Sequence, residues 1–106
     1  MKIVISSVDE TKKSEIDPHF GRCPFFTIAE VENGELLSMT TQKNEAAEQG
    51  HGAGTTAADF VANLGAKVVI SGNFGPKAEG VLTELKIEMV KDEGTVEDVV
   101  KRYLAK

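Results

Sequence analysis

The chain is poor in the residues that usually announce a disulfide or a metal. It has one cysteine, two histidines, one tyrosine and no tryptophan among 106 residues. A single cysteine excludes an internal disulfide framework. No apolar run approaches the roughly 20 residues a membrane-spanning helix needs. The opening MKIVISSVDE has one lysine, a strand-like run and no small-residue cleavage site, so it does not read as a secretory leader. Basic residues number 12 against 17 acidic ones, a net charge of −5. That balance argues against a nucleic-acid surface, where clustered Lys and Arg are needed to displace phosphate counterions, so nucleic acid is not an expected partner. No membrane partner is expected either, and the cytoplasm is the expected location. Hydrophobic content of 41% beside 27% charged residues is ordinary for a globular protein. One domain over 1–106 is expected, as a monomer or weak dimer.

What is present reads as alternating elements. KIVISSV (2–8) is a strand followed by a polar loop, and 25–43 is a hairpin around Asn33-Gly34, a pair suited to a tight turn with positive φ. From residue 55 the spacing turns helical: Thr55 or Thr56 caps, Ala57, Val61 and Leu64 share a face, and Gly65 ends the helix. KVVIS (67–71) has the unbroken apolar character of a strand covered on both faces. Pro76 opens a second helix with Ala78, Val81, Leu82 and Leu85 inward, IEMV (87–90) is a strand, and Thr95 caps a third helix. The order β-β-β-α-β-α-β-α predicts an α/β fold. It has a five-stranded mixed sheet with three helices on its two faces, strand 1 central and strand 2 antiparallel to its neighbours.

In such a sheet ligands bind beyond the carboxyl ends of the parallel strands. Loops 9–24, 44–55 and 71–76 should gather there, and 9–24 and 44–54 carry few evident apolar anchors. DPHFGRCPFF (17–26) places Cys23 four positions after His19, and GHGAG (50–54) holds His51. Thiolate and imidazole suit iron, zinc, copper or iron–sulfur clusters, so His19, Cys23 and His51 are candidate metal ligands. The plainer alternatives are a packed, buried Cys23 and solvated loop histidines. Arg22 beside Cys23 would favour a thiolate. It could fork onto an anionic ligand or bridge to Asp17. The GNFGP turn (72–76) feeds a helix N-terminus, which attracts anions; Gly72 and Gly75 could equally serve backbone geometry alone, and Gly52 and Gly54 carry the same ambiguity. This strand order is shared with ribonuclease H-type nucleases, which need several carboxylates for two metal ions. Strand 1 contains none, and no serine has a histidine–acid framework, so no enzymatic activity is expected.

The blocks MKIVISS, DPHFGRCPFFTI and GHGAGTTAADFVANLGAKVVISGNFGPKA resemble the dinitrogenase iron–molybdenum cofactor biosynthesis family, nearly over the whole chain. The resemblance implies a ribonuclease H-like fold without nuclease activity. It also implies non-enzymatic binding or carriage of an anionic iron–sulfur or molybdenum-containing cluster, with cluster-assembly or acceptor proteins as partners. By position, His19 and Arg22 fall in the family's first loop motif, Gly52 and Gly54 in its second, and Gly72, Asn73, Gly75 and Pro76 in its third. The other reading is a metal-free regulatory or interaction domain recognising a small anion or nucleotide at the same edge.

Overall fold

The computed structural model describes residues 1–11, 13–48 and 52–106. Five strands are present: β1 (Lys2–Ser7), β2 (Phe25–Glu32), β3 (Glu35–Lys43), β4 (Ala66–Ser71) and β5 (Glu88–Lys91). They form one sheet in the order β3-β2-β1-β4-β5. β2 runs antiparallel to β1 and β3, while β4 is parallel to β1 and β5. The central position of β1 explains its lack of alternation, since Ile3, Val4 and Ile5 are all fully buried on one face or the other. The hairpin turns through Asn33 and Gly34, both at positive φ, as that pair favours.

Helices α1 (Ala53–Asn63) and α2 (Pro76–Glu84) cover one face, and α3 (Val96–Leu104) the other. Val4, Phe26, Val69, Val61 and Leu82 belong to the first layer; Ile3, Ile5, Ile70, Val96, Val99 and Val100 belong to the second. Thr95 caps α3 as its position suggests, its side chain accepting a hydrogen bond from Asp98 N at 3.2 Å. Gly65, at φ +86°, ends α1.

Four local expectations are corrected. α1 begins at Ala53, ahead of both threonines, because Gly52 at φ +78° already turns the chain into the helix as its N-cap. Leu85 lies just past the last residue of α2, off the apolar stripe, and is exposed. The two long loops do have apolar anchors: Ile16, Phe20 and Cys23 in the first and Ala46 in the second are buried. The segment after β3 is not a plain loop, since Glu45–Glu48 forms a 3₁₀ turn.

Candidate functional site

Residues 15–24 form a strap across the carboxyl ends of β1 and β4. Asp17 N donates to Ser6 O at 2.9 Å, and Asp17 O accepts from Gly72 N at 3.3 Å and from the Ser71 hydroxyl at 3.2 Å. Phe20 N donates to Asn73 O at 3.3 Å. Beneath the strap the Phe20 ring meets Phe74 at 5.4 Å and Phe26 at 5.7 Å, and Phe26 stacks on Phe60 of α1 at 5.9 Å. Phe20 and Phe74 thus tie the first and third loops into the core as one unit. Two glycines let the strap lie close. A Cβ on Gly21 would sit 2.7 Å from the Gly54 backbone, and one on Gly72 would sit 2.6 Å from Pro18 Cα.

The strap forms one wall of a cleft of about 430 Å³ lined by His19 to Arg22, Gly52 to Thr55 and Gly75 to Ala78. The N-termini of α1 and α2 both open into it, with no side-chain cap at Gly52 or Gly75. First-turn N–H groups have no intrahelical partners and carry the positive end of the helix dipole. Pro76 contributes no donor, which leaves Lys77 and Ala78 on α2. Two cationic side chains flank these donors, Arg22 and Lys77, and no Asp or Glu is among the described residues lining the cleft. In a chain of net charge −5, that local sign is a marked departure. The arrangement can hold an anion by main-chain N–H donation and by charge.

His19, Arg22, Gly52, Gly54 and Gly75, expected from their loops, therefore meet in one place. His19 is exposed; its N–H donates to Asp17 Oδ1 at 2.7 Å, and its Nδ1 lies 3.5 Å from the same oxygen. Asp17 thus engages His19, while Arg22 Nη1 donates to Ala47 O at 3.4 Å. Gly72 and Asn73 are placed differently. Their main-chain groups fasten the strap, and neither lines this cleft. Gly72 instead borders a neighbouring cleft of about 830 Å³ lined by Glu15, Asp92 and Glu93 beside one lysine, Lys91, with Asp92 paired to Arg102, so its balance is acidic rather than cationic. His51 lies outside the described residues. Lys77 and Thr55 were missed; a lysine right after Gly-Pro at a helix start was the available signal for the first.

Cys23 takes the plainer of its two alternatives, and the expectation of a lowered thiolate is corrected. Its side chain is fully buried in the layer under α1 and α2, its thiol donating to Phe20 O at 3.2 Å. Burial pushes its pKa up to about 12, with the Asp17 charge adding to the rise; the Ser6 hydroxyl and the Asn44 amide offset only part. Proximity in sequence to Arg22 does not help, because adjacent side chains at the strap's end point to different environments: Arg22 is exposed and Cys23 is not. Among the described residues no group of three or more His, Cys, Asp or Glu side chains is gathered as a metal site.

An open α/β sheet with a donor-lined cleft at its carboxyl edge, with no Asp or Glu among the described lining residues, is a frame suited to binding a small anion. More particularly, the chain belongs to the dinitrogenase iron-molybdenum cofactor family, whose sequence profile matches residues 1–106. An uncharacterised protein of Methanocaldococcus jannaschii is 40% identical over 92 residues, 86% of this chain and 78% of its own length. The apo form of the orange protein from Desulfovibrio gigas is similar at a TM-score of 0.89 and 29% identity, over 98% of this chain and 87% of that one. A proposed NifB protein of Thermotoga shares the fold, with a TM-score of 0.74 at 21% identity over 96% of this chain and 85% of that one. No helix among the described residues is long and apolar enough to cross a membrane.

Proposed function

We propose that this protein is a non-enzymatic carrier that holds an anionic metal–sulfur cluster, of the iron–sulfur or molybdenum-containing kind, as cargo in the cleft between the N-termini of α1 and α2. The observation that carries this reading is the cleft's composition: two uncapped helix N-termini, Arg22 and Lys77, and no Asp or Glu among the described lining residues. Family membership supplies the class of cargo, and the relative solved in an apo form supports occupancy by a separable ligand.

In this reading the cargo arrives assembled, carrying its own sulfide, and is gripped from outside by N–H donors and cations. The protein thiol is not required, because Cys23 lies in the core. Among the described residues His19, exposed at the mouth, is the imidazole that would touch such a cargo. A carrier of this kind hands its load to an acceptor protein, and an open cleft suits release as well as capture.

The test is titration with tetrathiomolybdate under anaerobic conditions, followed by visible absorption. Wild type should bind with near-equal stoichiometry, and Cys23→Ser should bind nearly as well. Loss of binding in a folded Cys23→Ser would return the thiol to the site. A second reading rests on the generality of main-chain N–H donors, which accept any compact anion. In that case phosphate-bearing compounds would raise the melting temperature and thiomolybdate would not.

A further inference from the structure

Asn44, immediately after β3, does not line the cleft, yet its side chain is hydrogen-bonded through both ends of its amide beside it. It is buried to 1% exposure. Its Nδ2 donates to Gly21 O at 3.2 Å and to Cys23 O at 2.8 Å, the carbonyls on either side of Arg22. Its Oδ1 accepts from Ala46 N at 3.1 Å. Its main-chain N–H donates to Pro24 O at 2.9 Å, and its carbonyl accepts from Ala47 N at 3.2 Å. Both amide hydrogens and the amide oxygen are therefore used, as a buried amide requires.

The pattern has a direction. One end of the amide holds the main chain on both sides of Arg22, while the other shapes the 3₁₀ turn whose Ala47 carbonyl receives Arg22 Nη1 at 3.4 Å. The base and the tip of Arg22 are thus referred to one buried side chain. A fully satisfied buried network rigidifies what it joins, and a long flexible cation binds better when its rotamer is fixed beforehand.

We propose that Asn44 is a positioning residue that fixes Arg22 for anion capture in the cleft, joining the first and second loops into one preset wall. This rests on the reading of the cleft as an anionic-cargo site. Aspartate or serine at this position would keep an acceptor for Ala46 N. Neither would restore both donations to the carbonyls around Arg22.

The test is a double-mutant cycle read by tetrathiomolybdate titration of the full chain: wild type, Asn44→Ser, Arg22→Gln and the double variant, with Asn44→Asp as the second substitution in case Ser lowers folding yield. Loss of an outer-shell partner typically weakens binding by about tenfold or more, and that loss is expected for Asn44→Ser. If Asn44 acts through Arg22, the double variant binds no more weakly than Arg22→Gln alone. Full additivity of the two losses, or wild-type affinity in folded Asn44 variants, overturns the proposal. A readout without cargo separates it from the carrier reading. In ¹H–¹⁵N spectra the Arg22 Nε–H should be ordered in wild type and motionally averaged in the Asn44 variants. If wild type takes up no thiomolybdate, the carrier reading fails, and that Nε–H comparison still decides the role of Asn44; equal order in all variants overturns it.

Discussion

Cys23 and Arg22 are neighbours in sequence and opposites in chemistry. The thiol is raised from an ordinary 9.0 to about 12 by burial, so it remains protonated through the neutral range. Two results are expected. Native protein at pH 8 should react with small thiol reagents far more slowly than denatured protein, since the thiolate is the nucleophile. Native stability should also carry an alkaline signature. The unfolded chain ionises this thiol near 9 and the native chain only near 12, so the group's contribution is full below about 9 and is lost as pH rises towards 12. The slope is at most about 1.4 kcal/mol per pH unit for one proton. Urea midpoints of wild type and Cys23→Ser from pH 8 to 11 check it: wild type should fall more steeply, and parallel curves would contradict the burial account. The sequence could not decide Cys23, because a thiol before a proline at a strand entrance is compatible with either face. What settles it is Phe20 folding under the strap, which places the following turn over the core.

At the scale of elements, the glycines sort by what surrounds them. Gly21→Ala and Gly72→Ala each drive a methyl into backbone, at 2.7 Å from Gly54 and 2.6 Å from Pro18, so the strap must move. Overpacking of this kind costs about 1–3 kcal/mol, and both variants should melt lower. Because the strap carries His19 and Arg22, both should also bind thiomolybdate more weakly. Gly75→Ala meets nothing within 4 Å and its φ is −75°, so it should change stability by no more than about 1 kcal/mol. Equal losses at all three positions, measured by thermal melts, would contradict this sorting. Thr95→Ala removes the one side-chain cap of α3 and should cost about 1 kcal/mol. The helices, the hairpin and the strand order were legible in the sequence because periodicity, Asn-Gly, Pro76 and Thr95 all spoke for the same arrangement. The start of α1 was not, since a left-handed Gly52 substitutes for a side-chain cap and leaves no polar residue as a marker. The anchoring of the first and second loops was hidden for another reason. It depends on single buried residues, Phe20 and Asn44, that have no period to betray them.

On the scale of the whole molecule, the relevant feature is a sign reversal. A chain of net charge −5 gathers Arg22, Lys77 and two helix N-termini at one cleft, while the neighbouring cleft that Pro18 lines holds three carboxylates, Glu15, Asp92 and Glu93, against Lys91. An acidic surround disfavours adventitious anions elsewhere on the surface and concentrates attraction at one opening. Binding that rests on partly exposed charge is screened by salt, with a Debye length of about 10 Å at 0.1 M. Affinity for a thiomolybdate anion should therefore fall as sodium chloride is raised from 0.05 to about 0.5 M. The place of the cleft was legible from topology, which predicts binding beyond the carboxyl ends of parallel strands. Its positive character was only half legible, because Lys77 reads as an ordinary helix lysine until α2 is laid beside α1.

The most direct measurement is anaerobic titration of tetrathiomolybdate into wild type and the double variant Arg22→Gln/Lys77→Gln at low salt, with circular dichroism confirming that both are folded. Each charge-assisted hydrogen bond contributes about 1.5–3 kcal/mol, so the double variant should bind at least about tenfold more weakly while wild type binds near one to one. Equal affinity in the two proteins, or no uptake by wild type, would contradict an anion-holding cleft between α1 and α2.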